Sequence, residues 1–151
     1  MAHRFRGRTF DQLEPGEVLT TPSRTVTEAD LVAFAGLSGD YNPLHTDEEF
    51  ARASLHGGRI AHGALGLAIT TGLAHASGAF EGTTMALVSM TVKYRGVIRP
   101  GDTIRLEMTV LHKRETSEPD RGFVTFGTNT FNQRDERVIG GEWVVLMKRG
   151  A

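Results

Sequence analysis

Apolar residues change their spacing near residue 82: before it they recur at helical intervals, and after it they alternate with polar residues as strands do. A first helix is predicted over Thr27–Ala35. Thr27 caps it, Glu28 and Asp30 suit the positive end of the helix dipole, and Leu31 and Phe34 fall on one face. The turn-rich run Gly36-Leu37-Ser38-Gly39 ends it. A second, shorter helix is expected from Thr46, because Thr46-Asp47-Glu48-Glu49 fits the capping-box pattern and Phe50 and Ala53 supply an apolar face. A third helix is expected over His62–Ala76. Its residues Ala64, Leu65, Leu67, Ala68, Ile69, Leu73 and Ala74 cover most of the circumference, the pattern of a helix surrounded by protein. Glycine inside a helix costs about 1 kcal/mol relative to alanine. Gly66 and Gly72 therefore mark places where other backbone or a ligand comes close.

Four long strands follow, over Thr83–Arg95, Thr103–Lys113, Gly122–Asn132 and Val138–Lys148, all rich in Val, Thr, Ile and aromatic residues. Turn signals at Arg99-Pro100-Gly101-Asp102, Ser117-Glu118-Pro119-Asp120 and Gln133-Arg134-Asp135-Glu136 separate them. Such short connections predict an antiparallel meander. With an early strand near Glu17–Thr25, the expected architecture is a curved sheet of about five strands wrapped around one long apolar helix, an α+β domain.

Composition narrows the function classes. The 151 residues suit a single domain, 1–151, with 39% hydrophobic and 23% charged residues. A net charge of −1 and the lack of a basic cluster give no reason to expect nucleic acid. With no cysteine there is no disulfide framework, thiolate nucleophile or Cys-ligated zinc, which fits a cytoplasmic location. The basic start MAHRFRGRTF leads into no apolar stretch, so no signal peptide is expected. The most apolar run, Ala61–Ala76, is too short and too often interrupted to span a bilayer, and no membrane partner is expected.

The candidate chemistry lies in Leu37-Ser38-Gly39-Asp40-Tyr41-Asn42-Pro43-Leu44-His45. Asp40 and His45 stand across a Gly/Asn/Pro turn, so their side chains can converge. A carboxylate beside an imidazole can hold a water, take its proton and return one elsewhere. The same residues also have a structural reading, in which Asp40 binds nearby backbone N–H groups and His45 only packs.

The segment closely resembles the signature of MaoC-like hydratases and (R)-specific enoyl-CoA hydratases, a family with the hotdog fold. Ser38-Gly39-Asp40-Tyr41-Asn42-Pro43-Leu44-His45 matches its Ser-Gly-Asp-x-Asn-Pro-aliphatic-His pattern at each defined position. Two further elements of the family follow in order, Ile60-Ala61-His62-Gly63 at the start of the central helix and the turn Val97-Ile98-Arg99-Pro100-Gly101-Asp102. The resemblance implies that Asp40 and His45 grip the catalytic water, that Asn42 orients the loop, and that Ser38 and His62 support it. It also implies that the Gly63 N–H receives the thioester oxygen. Thr71 either lines the acyl tunnel or bonds its own helix. The implied substrate is a 2-enoyl or 3-hydroxyacyl thioester of coenzyme A, with no cofactor beyond the coenzyme A of the substrate itself, and the implied assembly is a homodimer. Lys93, Arg95 and Arg99 either meet the phosphates of coenzyme A or stand as solvated charges.

Two other functions remain to be weighed. A non-catalytic acyl-CoA-binding or partner-subunit hotdog protein could keep the fold and lose the acid–base pair, whereas Asp40, Asn42 and His45 are all present. An acyl-CoA thioesterase is brought to mind by Leu55-His56-Gly57-Gly58, but the helix that would carry its acidic residue has no Asp or Glu between Gly63 and His75. No metal is expected, because no pair of the six histidines has His-x-x-x-His spacing with a third ligand nearby.

Overall fold

The computed structural model of the chain describes residues 5–150; the first four residues of the basic amino-terminal stretch and Ala151 lie outside the described residues. Thr27 caps helix α1 (Glu28–Ser38) as expected. Its hydroxyl accepts the Asp30 N–H at 3.2 Å, and the Asp30 carboxylate accepts the Thr27 N–H at 2.8 Å. The helix runs past Ala35 because its end is set by Gly39, whose left-handed φ of 75° turns the chain while its N–H reaches the Ala35 carbonyl.

The expected second helix starts at Glu48 rather than Thr46, and a separate short turn precedes it. Asn42 caps a short turn, α2 (Pro43–Thr46), with Pro43 in its first position, and Asp47 caps α3 (Glu48–Ala53). Thr46 does not serve as the cap, because its hydroxyl is already donated to the Tyr41 and Asn42 carbonyls at 3.1 and 3.2 Å.

Strands β1 (Val18–Thr20), β2 (Arg24–Thr25), β3 (Thr84–Tyr94), β4 (Thr103–Glu115), β5 (Arg121–Phe131) and β6 (Arg137–Lys148) form an antiparallel sheet of six strands in the order β1-β4-β5-β6-β3, with β2 also on β4. The single early strand is broken into β1 and β2, with Pro22 between them. The meander holds only for β4, β5 and β6, because β3 pairs with β6 rather than β4. The Pro100-Gly101 turn is real, with the Asp102 N–H bonded to the Arg99 carbonyl at 3.0 Å, but it closes on the loop after β3 instead of on the strand. That loop crosses the end of the sheet, where its Ile98 carbonyl takes the Ala61 N–H at 2.7 Å.

Helix α4 (Gly63–Ala76) lies on one face of this sheet. Leu65, Ile69, Leu73 and Ala74 sink into a core built from Leu106, Met108, Val110, Phe126 and Trp143. Fully burying a large apolar side chain is worth about 1.5–3 kcal/mol, so this layer dominates the stability. The Thr70 hydroxyl, donating to the Gly66 carbonyl at 2.8 Å and meeting Thr130 at 3.1 Å, fastens helix to sheet. Gly66 allows the close approach expected of it: a Cβ there would stand 2.9 Å from Ile98 Cδ1 and 3.1 Å from Ile139 Cδ1.

Within one chain, two expectations about α4 are not met. The helix is not surrounded by its own chain, because Ala64, Ala68, Thr71, Gly72 and His75 are exposed along one side. Gly72 lies on that side and a Cβ would meet nothing within 4 Å. Its alanine and glycine content made the two faces look alike in sequence. Strand β3 is open too, exposing Met85, Leu87 and Val88 at the sheet edge.

Candidate active site

The signature segment folds through short local bonds that fix each side chain in turn. The Ser38 hydroxyl donates to the Phe34 carbonyl at 2.7 Å and accepts the Asp40 N–H at 3.1 Å. One carboxylate oxygen of Asp40, Oδ1, accepts the Asn42 N–H at 3.1 Å, and Asn42 Oδ1 accepts the Leu44 N–H at 3.0 Å. These are Asx-type turns, which tighten a loop without a helix or ladder. They leave Oδ2 of Asp40 free to face His45.

His45 Nδ1 lies 2.8 Å from the Ile60 carbonyl. A carbonyl only accepts, so Nδ1 carries the proton and the neutral ring presents its Nε2 lone pair on the other side. That Nε2 stands 4.0 Å from Asp40 Oδ2. The gap is too long for a direct hydrogen bond and suits one water bonded to both atoms. The His45 side chain is 12% exposed and that of Asp40 52%, so the imidazole is held by protein while the carboxylate is half open to solvent.

His62 completes the frame. Its Nε2 donates to the Asp40 carbonyl at 2.9 Å, and its ring stacks on His45 with centroids 3.9 Å apart, with Phe34 against it at 4.9 Å. Immediately after it α4 begins, and His62 gives no side-chain cap to the helix. The first N–H groups of a helix have no partner within it, and they carry the positive end of the dipole. Gly63 places them beside a cavity of about 200 Å³ lined by His62, Gly66, Tyr94, Ile98 and Ile139. A Cβ on Gly63 would lie 2.9 Å from Tyr94 Cζ, so the bare glycine lets the tyrosine ring close over the helix start.

Arg59 braces this arrangement from behind. Its Nε bonds Glu48 at 2.7 Å and its Nη1 and Nη2 bond Glu28 at 2.9 and 2.6 Å, joining α1, α3 and the segment entering α4. The hydrogen bond from Arg59 holds the Glu48 carboxyl below its ordinary pKa. Arg59 and Tyr94 were not singled out from sequence. Glu28 and Glu48 lie too far along the chain for any spacing rule, whereas strand alternation places Tyr94 on the inner face opposite Lys93 and Arg95.

Asp40, His45 and His62 offer ligand atoms that all lie within 4.8 Å of one another. Sequence spacing gave no sign of this group, because His62 comes from a different segment. The two imidazoles are stacked with centroids 3.9 Å apart and an interplanar angle of only 28°, so their in-plane lone pairs lie in separate, nearly parallel planes. They do not converge within a metal–nitrogen bond of about 2.0–2.1 Å. Of the other residues proposed from sequence, Ser38, Asn42 and Gly63 belong to the cluster. Thr71 does not: it is exposed, and its hydroxyl donates to the Ala68 carbonyl of its own helix at 2.7 Å.

The family described as MaoC like domain matches residues 10–130. The chain belongs to that family. Among its relatives is the (R)-specific enoyl-CoA hydratase of Rhodospirillum rubrum, 31% identical over 138 residues that cover 91% of this chain and 90% of that protein. Protein MaoC of Klebsiella aerogenes is 37% identical over 122 residues, covering 77% of this chain but only 36% of that longer protein. The crystal structure of a MaoC-like dehydratase from Rhodospirillum rubrum superimposes with a TM-score of 0.86 at 34% identity, covering 96% of this chain and 99% of that one. The fold also matches, at a TM-score of 0.86 and 19% identity, a Mycobacterium tuberculosis protein described as having a double hotdog fold, over 98% of this chain and 46% of that one. The α+β architecture of this MaoC-like domain is thus the hotdog fold.

The Asn42 cap gives a direct check on the loop. Asn42→Ala removes the acceptor for the Leu44 N–H and is expected to lower stability by about 1 kcal/mol in urea denaturation. Asn42→Ser keeps an acceptor and is expected to retain most of it. Equal stability of the alanine variant and the parent would show that the cap contributes nothing.

Proposed function

We propose that this MaoC-like domain is an (R)-specific hydratase/dehydratase that interconverts a 2-enoyl-CoA and a 3-hydroxyacyl-CoA. The observation that carries the reading is the free Nε2 of His45, 4.0 Å from Asp40 Oδ2 and close to the uncapped start of α4. Helix N–H groups at Gly63 polarise the thioester carbonyl, which makes C3 of the enoyl group electrophilic. The water between Asp40 and His45 gives one proton to the pair as its oxygen bonds C3. The enolate so formed, stabilised at the helix start, takes a proton from the pair at C2. Dehydration runs the same steps backwards. The names of the relatives at about 30% identity support this reaction class. Coenzyme A enters as part of the substrate, and the mechanism calls on no metal or further cofactor. A cytoplasmic location accords with the lack of cysteine. Among the described residues no helix is long and apolar enough to cross a membrane.

The proposed assembly is a homodimer. The edge of β3 exposes Met85, Leu87 and Val88, the bare side of α4 exposes Ala64, Ala68 and Gly72 beside Thr71 and His75, and open strand edges are normally paired or covered. A closed twofold dimer covers both at once. Light scattering at micromolar concentration is expected to give twice the chain mass, and a monomer would contradict the assembly.

Asp40→Asn and His45→Ala are each expected to lower turnover about 10²–10⁴-fold, the range for a positioned acid–base group. Because the two act on one water, the double variant should fall little below the worse single one. The check is the loss of enoyl thioester absorbance with crotonyl-CoA and longer homologues. Fully additive losses would mean that the residues act separately, and unchanged turnover in either variant would remove that residue from the mechanism.

A further inference from the structure

On the face of the sheet turned away from α4, the register places Lys93 of β3, Gly140 of β6 and Asn129 of β5 in one row. Gly140 brings no side chain to that row. A Cβ there would meet Asn129 Oδ1 at 3.5 Å and Arg137 Cδ at 3.8 Å, ordinary contact distances, so crowding does not require the glycine. The result is a trough of about 310 Å³ lined by Thr91, Lys93, Arg95, Asn129, Arg137 and Glu142.

The charges in this trough are unlike those elsewhere. Arginines over the rest of the surface mostly pair with carboxylates, as Arg59, Arg121 and Arg149 do. Among the described residues neither the Lys93 nor the Arg95 side chain has a hydrogen-bonding or ionic partner. The side chain of Arg137 bonds only the neutral Asn129, at 3.2 Å. Glu142 is the one carboxylate lining the trough. Three cations gathered with a single carboxylate make a local positive field that an anion relieves.

We propose that this trough binds the phosphate groups on the arm of the carrier thioester. The proposal rests on the hydratase reading and extends it to how the carrier is recognised. Tyr94, between Lys93 and Arg95 in sequence, points to the other face and lines the cavity beside Gly63, as does Gly96. The anion trough and the thioester cavity therefore sit on opposite sides of one strand end. An arm with its thioester at Gly63 passes round that end at the bare Gly96 and brings its phosphates to Arg95, Arg137 and Lys93. This route leaves the exposed apolar part of β3, Met85 to Val88, free for the proposed dimer. Arginine suits the role because its guanidinium meets phosphate with two parallel hydrogen bonds.

The test compares crotonyl-CoA, crotonyl-phosphopantetheine and crotonyl-pantetheine, which carry three, one and no phosphates respectively. Arg95→Ala and Arg137→Ala are expected to raise KM for crotonyl-CoA by about tenfold or more, the loss of one charge-assisted contact, with kcat unchanged. Neither should change kinetics with crotonyl-pantetheine. Glu142→Gln should lower KM for crotonyl-CoA alone. If crotonyl-phosphopantetheine shows the full effect, the trough reads the phosphate common to coenzyme A and acyl carrier protein. If only crotonyl-CoA shows it, the trough reads the nucleotide. Equal changes on all three thioesters, or none, overturn the proposal while leaving the hydratase reading intact. Should the parent protein hydrate none of them, the hydratase reading fails, and calorimetric titration with adenosine 3′,5′-bisphosphate still tests the trough. Binding weakened in Arg95→Ala then supports an anion site, and equal binding overturns it.

Discussion

Two imidazole N–H groups, each given to a backbone carbonyl of the opposite segment, hold the site together. His45, from the loop after α1, donates to Ile60 in the approach to α4; His62, at the start of α4, donates back to Asp40 in the loop. The rings stack between these bonds, and the Ile60 N–H returns a third bond to the Leu44 carbonyl at 3.2 Å. Loop and helix start therefore move as one body. The arrangement also decides the tautomer, because a nitrogen committed to a carbonyl must carry hydrogen, which leaves Nε2 of His45 on the side of Asp40.

The rest of the fold serves that cross-brace. Asx turns at Asp40 and Asn42 hold the loop compact, and Arg59 ties the same two segments through Glu28 and Glu48 further out. Packing of Leu65, Ile69 and Leu73 on the sheet fixes the axis of α4, and so fixes where its first N–H groups point. The sheet then gives the site two sides. Alternation along β3 turns Tyr94 toward Gly63 and its neighbours Lys93 and Arg95 toward the outer trough.

Local features were legible in the sequence because local physics makes them. Thr27 caps α1, Gly66 marks a close approach, and Asp40 and His45 converge across their turn, all from short-range patterns. The sequence was less informative wherever a partner was distant. The Pro100-Gly101 turn announced a hairpin but did not say that its first arm is a loop, so β3 was misplaced beside β4. The cap at Asp47 was missed because Thr46 is claimed by carbonyls before it. Apolar residues around α4 meant burial, but not by which chain, and its exposed side is the result. The meeting of His62 with Asp40 and His45 depends on the fold as a whole.

The configuration at C3 of the product tests the account most directly. In the proposed reaction the thioester oxygen sits at the start of α4 and Asp40 and His45 hold the water, so hydroxyl reaches only one face of the double bond. Chiral analysis of the product from a 2-enoyl-CoA is predicted to give the (R)-3-hydroxyacyl thioester alone. A racemic product, the (S) product, or no hydration would contradict it.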